Sequence, residues 1–327
     1  MSYARWAGDR RAVLQAGLGA LAAAVAPAAF AQERYPSRSV EVIVPWGAGG
    51  GADILGRILS KWLEADLKAP FPVSNLPGAS GMIGLGRMVT QPADGQTIAI
   101  LTGDSLMMAA TPTATFKWND AVALAVMVRQ PSAIFAPKAS RFKTWQDVVK
   151  EAQAKPGTVT LAITGPTTAD DLTAKYLASR NVSLVGVPYS KPAERYTAVI
   201  GGHVDLLYEQ AGDVRGFLEA GDLRPLLFFA PRRQAAPFAD VPASAEFGYE
   251  VLLPQVRAVL ARAGTDPQRL QVLNASIERF AKSEEYRKFL EQHVAQPDSF
   301  MPLAQAQTFL NGELEALRKL VAQYPAK

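Results

Sequence analysis

A glycine-rich turn between a strand pattern and a helix pattern constrains this chain more than any other feature. The turn reads Val-Pro-Trp-Gly-Ala-Gly-Gly-Gly-Ala-Asp over residues 44–53. Apolar residues at 40, 42, 43 and 44 predict a strand before it, and those at 54, 55, 58, 59 and 62 predict a helix after it. Such a turn directs backbone N–H groups and the positive end of a helix dipole towards one point. It therefore predicts an anion site at the end of a strand.

The N-terminus indicates export. Arg10 and Arg11 precede an apolar run over residues 16–26, and Ala29-Phe30-Ala31 has the form of a cleavage site. This arrangement is typical of a secretory signal peptide over residues 1–31, and the arginine pair resembles a twin-arginine signal, although Asp9 stands where Ser or Thr is usual. We expect an exported, periplasmic protein whose mature chain begins at Gln32, and export by the general secretory route stays an alternative.

Composition excludes several function classes. The net charge of +4 includes three arginines and one aspartate of the leader, so the mature chain is close to neutral and nucleic acid is not an expected partner. The chain has no cysteine and only two histidines, His203 and His293, which argues against thiolate and multi-imidazole metal sites. We therefore expect no metal and no cofactor.

Strand-like and helix-like runs alternate along most of the mature chain. This alternation predicts an α/β fold with mostly parallel sheets flanked by helices, and the chain length predicts about two domains. In such sheets ligands bind on the loops that follow the strands. The strand patterns cover residues 40–44, 71–75, 97–101, 122–128, 133–136, 158–163, 183–187, 205–208 and 223–229.

Two catalytic or cofactor alternatives arise from short motifs. Residues 47–52 fit the dinucleotide-binding pattern G-x-G-x-x-A, but Asp66 falls at a predicted helix end and no Gly-Lys-Ser/Thr follows. Gly103-Asp104-Ser105-Leu106 matches the first block of the GDSL esterases, with Ser105 as nucleophile. Neither histidine has an acid three residues before it to complete that set, so a secreted esterase is kept only as the alternative function.

A series of short motifs resembles the periplasmic solute-binding receptors of tripartite tricarboxylate transporters, the Bug (TctC-like) family. The resemblance covers essentially the whole mature chain. The matching segments are Tyr35-Pro36-Ser37-Arg38, residues 44–53, residues 75–84 (Asn-Leu-Pro-Gly-Ala-Ser-Gly-Met-Ile-Gly), Pro92-Ala93-Asp94-Gly95, Val187-Pro188-Tyr189, Gly201-Gly202-His203-Val204-Asp205, Asp240-Val241-Pro242 and Ala261-Arg262-Ala263-Gly264-Thr265.

The resemblance implies a non-enzymatic receptor with the two-domain periplasmic binding protein fold (type II-like) and a ligand cleft between the domains. The implied domain 1 comprises residues 32–131 and 257–327, and domain 2 comprises residues 132–256. Such a receptor closes over a small organic acid and delivers it to membrane subunits of a transporter, and we expect it to be a monomer.

The resemblance also implies which residues bind the ligand. Backbone N–H groups of both glycine loops would hold one carboxylate, hydroxyls near position 102 would line the same wall, and the second domain would meet the far end. Asp53 would complement the helix dipole without touching the ligand. The implied binding residues are Trp46, Gly47, Ala48, Gly49, Gly50, Gly51, Ala52, Pro77, Gly78, Ala79, Ser80, Gly81, Thr102, Asp104, Ser105, Thr164, Thr167, Thr168, Ala169, Tyr208 and Glu209.

Two acids depart from the family pattern and leave the ligand class open. The family usually has a small or hydroxyl residue where Asp104 stands, and Asp-Asn where Glu209-Gln210 stand. Two acids beside a dianion would repel it unless they point away or meet a cation. The expected ligand is therefore a di- or tricarboxylate, an aromatic acid that stacks on Trp46 and Tyr208, or an amino acid.

Overall fold

The computed structural model describes residues 35–324, so the signal peptide predicted over residues 1–31 lies outside the described residues. The strands in this part of the chain are β1 (Glu41–Val44), β2 (Val73–Asn75), β3 (Thr97–Thr102), β4 (Ala121–Gln130), β5 (Ser132–Pro137), β6 (Val159–Ile163), β7 (Leu184–Pro188), β8 (Leu206–Gln210), β9 (Leu223–Phe228), β10 (Gln255–Arg262) and β11 (Met301–Pro302).

The helices pack on the faces of the sheets. They are α1 (Gly51–Leu67), α2 (Met82–Thr90), α3 (Gly103–Ala109), α4 (Trp145–Ala154), α5 (Ala169–Ser179), α6 (Pro192–Ile200), α7 (Arg215–Glu219), α8 (Pro267–Ala281), α9 (Glu284–Gln292) and α10 (Leu303–Gln323). None of these helices combines the length and apolar character that a membrane span requires.

The strands form two sheets, which gives the expected two-domain α/β architecture. The six-stranded sheet has the order β11-β4-β10-β3-β1-β2, and the five-stranded sheet has the order β7-β6-β8-β5-β9. We call the first sheet with its helices lobe 1 and the second sheet with its helices lobe 2. Both sheets are mixed rather than mostly parallel: β1 to β3 and β6 to β8 pair in parallel, whereas β4, β10 and β5 pair antiparallel to their neighbours.

The antiparallel pairing follows from how the chain passes between the lobes. Strand β4 leads directly into β5 with only Pro131 between them, so it carries the chain out of lobe 1. Strand β10 carries the chain back and pairs with β4 over residues 255–262 in the opposite direction. The domain boundaries predicted at 131/132 and 256/257 stay a prediction.

Local sequence accounts for the helix that follows the first glycine turn. Leu55, Leu59 and Leu63 recur at a spacing of four, form one stripe of α1 and are fully buried. Each such side chain contributes about 1.5–3 kcal/mol on burial. Helix α1 ends where Lys68 adopts the left-handed conformation and its N–H bonds to the Glu64 carbonyl. The stripe thus fixes α1 against the sheet with its first residue at the carboxyl end of β1.

Several strand ends meet at the gap between the lobes. The loops after β1 and β3 belong to lobe 1, and those after β6, β7 and β8 belong to lobe 2. The helices α1, α5 and α6 begin at these loops. Backbone donors and the side chains of two sheets therefore face one another across one cleft.

Candidate ligand-binding cleft

A cavity of about 60 Å³ lies between the two lobes. Nine of the residues implied by the sequence line it: Trp46, Gly50, Gly51, Ala52, Thr102, Asp104, Thr164, Tyr208 and Glu209. Residues outside the implied set complete the lining: Asp170, Ser190, Pro192, Arg195, Tyr196, Gln210, Asp213, Gln255 and Arg257. A space of this size holds only a few waters or a very small group, so the two lobes are close together.

The remaining implied residues do not line this cavity. They lie at the outer part of the first glycine loop, in the second glycine loop, and behind the loops after β3 and β6: Gly47, Ala48, Gly49, Pro77, Gly78, Ala79, Ser80, Gly81, Ser105, Thr167, Thr168 and Ala169. Their contact with a ligand stays a prediction.

The first glycine loop presents the amino end of α1 to the cavity. Gly50 is the N-cap in an extended conformation, and no side chain caps the helix. The N–H groups of the first turn have no intrahelical partner, and the helix dipole adds positive potential there. This end of α1 is therefore suited to hold an anionic group.

Asp53 holds the first glycine loop in shape. Its carboxylate accepts hydrogen bonds from the Gly49 N–H (3.0 Å), from Arg57 Nε (2.9 Å) and from Asn75 Nδ2 (2.9 Å). Burial alone would raise the pKa of Asp53, but the bonds from Arg57, Gly49 and Asn75 outweigh it and hold that pKa below its usual value. The acid thus remains ionised and ties the loop to β2.

The second glycine loop packs behind the cleft wall. Gly78 and Gly81 have φ values of 135° and 91°, which favour glycine. A Cβ on Gly81 would lie under 3.0 Å from Ser105 Oγ, so the loop can approach Ser105 only with glycine there.

Ser105 is not arranged as an esterase nucleophile. Its side chain is fully buried, its hydroxyl lies 3.1 Å from Thr102 Oγ1, and its N–H donates to the same oxygen at 3.2 Å. Thr102 also accepts from Trp46 Nε1 at 3.1 Å. Within residues 35–324 neither histidine bonds to Ser105. A serine without a positioned base is a poor nucleophile, so the esterase alternative receives no support.

Arg195 on α6 forms a buried network in lobe 2. One of its nitrogens pairs with Glu209, and Nη1 donates to Thr164 Oγ1 at 2.8 Å. Tyr196 donates its hydroxyl to the same Glu209 carboxylate at 2.9 Å. Burial works against the charge of Arg195, but Glu209, Tyr196 and Asp170 together outweigh it and raise the pKa of Arg195, so the guanidinium stays protonated.

Arg257 on β10 reaches across the cleft. It pairs with Asp213 in the loop after β8 and donates to Gln130 Oε1 at 2.9 Å. His293 Nδ1 lies 3.7 Å from the other oxygen of Asp213. Burial by itself would raise the pKa of Asp213. Arg257 and His293 together outweigh burial, so the pKa of Asp213 lies below its usual value. An ion pair between lobe 1 and lobe 2 therefore lies directly over Gly51.

Asp104 makes a second link between the lobes. Its Oδ1 accepts from the Ala169 N–H of α5 at 3.0 Å, and its Oδ2 accepts from Gln255 Nε2 at 3.3 Å. Asp170, the next residue of α5, is buried and accepts from the Thr164 N–H at 2.5 Å. Burial, and then the negative charge of Asp104, raise the pKa of Asp170 to about 6.

The sequence carried signals for the two arginines that its motifs did not reveal. Arg257 interrupts an apolar run at residues 256–261, and a charge in such a strand indicates a buried ion pair. Arg195 follows Pro192, and a proline after a strand is typical of the first position of a helix. Among the residues that the structure describes, no three or more His, Cys, Asp or Glu side chains are grouped so that they could hold a metal ion.

Comparison with known proteins gives a consistent set of similarities. The family model described as "Tripartite tricarboxylate transporter family receptor" matches residues 55–323. Protein BugT of Bordetella pertussis is 26% identical over 313 residues, covering 94% of this chain and 95% of BugT. A solved R. palustris protein with adipate has a TM-score of 0.81 at 24% identity, covering 88% of this chain and 97% of that one. MatC from Rhodopseudomonas palustris with bound malate has a TM-score of 0.79 at 22% identity, covering 88% of this chain and 100% of that one.

Proposed function

Because this chain belongs to the tripartite tricarboxylate transporter receptor family, we propose that it is an exported receptor that captures a small organic acid between its lobes and delivers it to transporter subunits in the membrane. The observation that carries this proposal is the amino end of α1, which has no side-chain cap and opens onto a cavity lined by both lobes. Similar folds solved with adipate and with malate support an organic acid as the ligand.

The carboxylate of the ligand binds at the start of α1. Gly50, Gly51 and Ala52 supply N–H groups there, and residues 47–49 with the second glycine loop complete the cradle as the lobes move. Thr102 and Asp104 line the same wall, while Thr164, Tyr208 and Glu209 meet the ligand from lobe 2. Neutral donors at a helix start bind an anion without a dedicated arginine.

Capture proceeds by closure of two domains, residues 32–131 with 257–327 and residues 132–256. The receptor works as a monomer in the periplasm and needs no cofactor. It is exported there by the twin-arginine route or by the general secretory route. Domain closure of this kind uses the connections between domains as hinges. Here Pro131 and the segment before β10 are those connections, and Ser132 Oγ donates to the Leu253 carbonyl at 3.1 Å between them.

The test measures the binding of carboxylates to residues 32–327, both from the shift in melting temperature and by calorimetry. The probes are malate, adipate, citrate, benzoate, aspartate and glutamate. A probe at 100 times its Kd should raise the free energy of unfolding by about 2.7 kcal/mol. If no probe shifts the melting temperature or releases heat, the proposed function is wrong.

A variant at the N-cap of α1 makes this test specific to the cleft. Gly50 has φ −90° and ψ 170°, so its backbone accepts Asp, whose carboxylate would take the first-turn N–H groups and whose Cβ would lie 3.2 Å from Pro192 Cγ, which has to shift slightly. We expect Gly50→Asp to keep or raise stability and to abolish binding of every carboxylate. Gly216→Asp adds the same charge at an exposed glycine of α7 with open space around it and should bind normally. Binding that survives Gly50→Asp would remove the α1 terminus from the site.

A further inference from the structure

Both arginines of the cleft are already committed to acids of this chain. Arg195 and Glu209 have side chains 6% and 7% exposed, and those of Arg257 and Asp213 are 3% and 4% exposed. Arg195 and Arg257 are the two arginines that line the cavity, and the described residues of its lining include no lysine. Each guanidinium charge is therefore paired with a carboxylate of this chain before a ligand arrives, and Nε of each arginine is the donor left without a partner among the described residues.

Two further acids of the lining have no cationic hydrogen-bond partner in the described part of the chain. Asp104 accepts from the Ala169 N–H and from Gln255, whereas Asp170 accepts from the Thr164 and Asp171 N–H groups and from the Thr168 hydroxyl. Asp104 accepts from the N–H of Ala169, the residue before Asp170, so the two acids lie close together in the cleft. Besides burial, the negative charge of Asp104 raises the pKa of Asp170, and the positive charge of Arg195 lowers it. The lining as a whole holds four acids and two arginines and is negative.

Tyr208 adds an unsatisfied polar group beside this acid pair. Its side chain lines the cavity, the residue is 4% exposed, and its hydroxyl has no hydrogen-bond partner of good geometry among the described residues. Burial raises the pKa of Tyr208 above its usual value, and the charges of Asp170 and Asp104 add to this. The nearby side chains of Ser132 and Thr173 lower that pKa by a smaller amount, so the hydroxyl stays neutral. The Tyr208 hydroxyl thus lies beside the acid pair, near the side chains of Ser132 and Thr173, with hydrogen-bonding capacity that its neighbours do not fully use.

We propose that the ligand is a zwitterion, and that Asp104 and Asp170 bind its ammonium-type cation while the start of α1 binds its carboxylate. This inference deepens the proposed function. A dianion would place its second charge against two acids that have no cationic hydrogen-bond partner among the described residues, whereas a cation there meets two carboxylates and the Tyr208 oxygen in a low-dielectric site. The ligand class is thus an amino acid or a related aminocarboxylate rather than a simple dicarboxylate.

The test compares probe pairs that differ by one ammonium group: succinate with aspartate, glutarate with glutamate, and propionate with alanine. Binding to residues 32–327 is measured by calorimetry at pH 7.5. We expect the amino member of at least one pair to bind about tenfold or more tightly than its partner, as expected for a hydrogen bond between charged groups.

Variants assign the preference to the acid pair. Asp104→Asn and Asp170→Asn each retain the size of the side chain and should reduce the preference for the amino member about tenfold. Asp171→Asn is the matched control: Asp171 lies in the same turn of α5, pairs with Lys175 at 2.8 Å and does not line the cavity, so this variant should keep the wild-type preference.

The outcomes separate this inference from the proposed function. If succinate, glutarate or propionate binds as tightly as its amino partner, the receptor function stands and the zwitterion is refuted. If the amino members bind preferentially but Asp104→Asn and Asp170→Asn both leave the preference unchanged, the assigned acid pair is wrong. If neither member of any pair binds, and the wider probe set also fails, both proposals fall.

Discussion

Gly51 is the position at which one added methyl group should separate the two lobes. It is the first residue of α1, in lobe 1, and a Cβ built there lies under 3.0 Å from Arg257 Nη2 and from Asp213 Oδ1. The ion pair between those two groups links lobe 1 to lobe 2. Because Gly51 has no positive φ, Ala fits the helix itself, so the cost of Gly51→Ala comes from the contact with the ion pair.

The size of the effect follows from two opposing contributions. Overpacking a well-packed site costs about 1–3 kcal/mol. Replacing glycine by alanine in a helix returns about 0.5–1 kcal/mol, and less at the first position. We therefore expect Gly51→Ala to lower the free energy of unfolding by about 1–2 kcal/mol, which is a melting temperature lower by roughly 2–6 °C for a protein of this size.

The assay is urea or thermal unfolding of the wild type and variants. Gly47→Ala is the matched control, since it changes a glycine of the same loop, again without positive φ and with nothing within 4 Å of the added Cβ. It should change stability by less than about 0.5 kcal/mol. In an Arg257→Ala background Asp213 is free to move, so the cost of Gly51→Ala should largely disappear. A cost no larger than that of Gly47→Ala, or one undiminished in the Arg257→Ala background, would refute the reasoning.

Three further predictions concern acids and a hydroxyl around the cleft. Asp53→Asn should lower the free energy of unfolding by about 1–3 kcal/mol, because the Gly49 N–H loses its charged acceptor and Arg57 loses its carboxylate partner. Denaturation at pH 7 measures this, and an unchanged midpoint would contradict it. Asp170 has a pKa raised from 3.8 to about 6, so between these pH values its carboxyl keeps a proton in the folded state that it loses in the unfolded state. Asp170 therefore lowers the stability of the folded state as the pH rises from about 4 to about 6. We therefore expect the free energy of unfolding of Asp170→Asn, relative to that of the wild type, to be about 2–3 kcal/mol higher at pH 7 than at pH 4. Denaturation at both pH values measures this, and a relative stability that is the same at both would contradict it. Ser105→Ala should leave the rate of p-nitrophenyl acetate hydrolysis at that of the wild type, measured by absorbance, and a loss of rate in this variant would restore the esterase alternative.

The parts of the fold that sequence predicted are those set by local periodicity. The strand, glycine turn and helix around residues 44–53 are confirmed as β1 and α1. The capping box at the start of α4 is equally local, with the Thr144 hydroxyl accepting from the Asp147 N–H and the Asp147 carboxylate accepting from the Thr144 N–H. In each case the signal lies within a few residues and does not depend on a distant contact.

The parts that sequence did not predict depend on distant pairing. Strand β10 obtains both of its neighbours from segments about 130–160 residues away, so its direction is set by how the chain returns to lobe 1. The expectation of mostly parallel sheets failed there, because alternation of strands and helices says nothing about a strand that returns from another lobe. Helix α6 was overlooked because Lys191 and Glu194 make its first turn polar, although Pro192 marks its start.

The charge balance of the cleft could not be read from motifs for the same reason. The glycine loops predict a donor set for a carboxylate, and that prediction needs only the backbone between β1 and α1. Whether a second charge is accepted depends on Arg257 and Asp213, which are 44 residues apart, and on Asp104 and Ala169, which are 65 residues apart. Because those partners come from different lobes, the preference for a ligand is a property of the closed cleft. Two receptors with identical glycine loops can therefore select ligands of different charge.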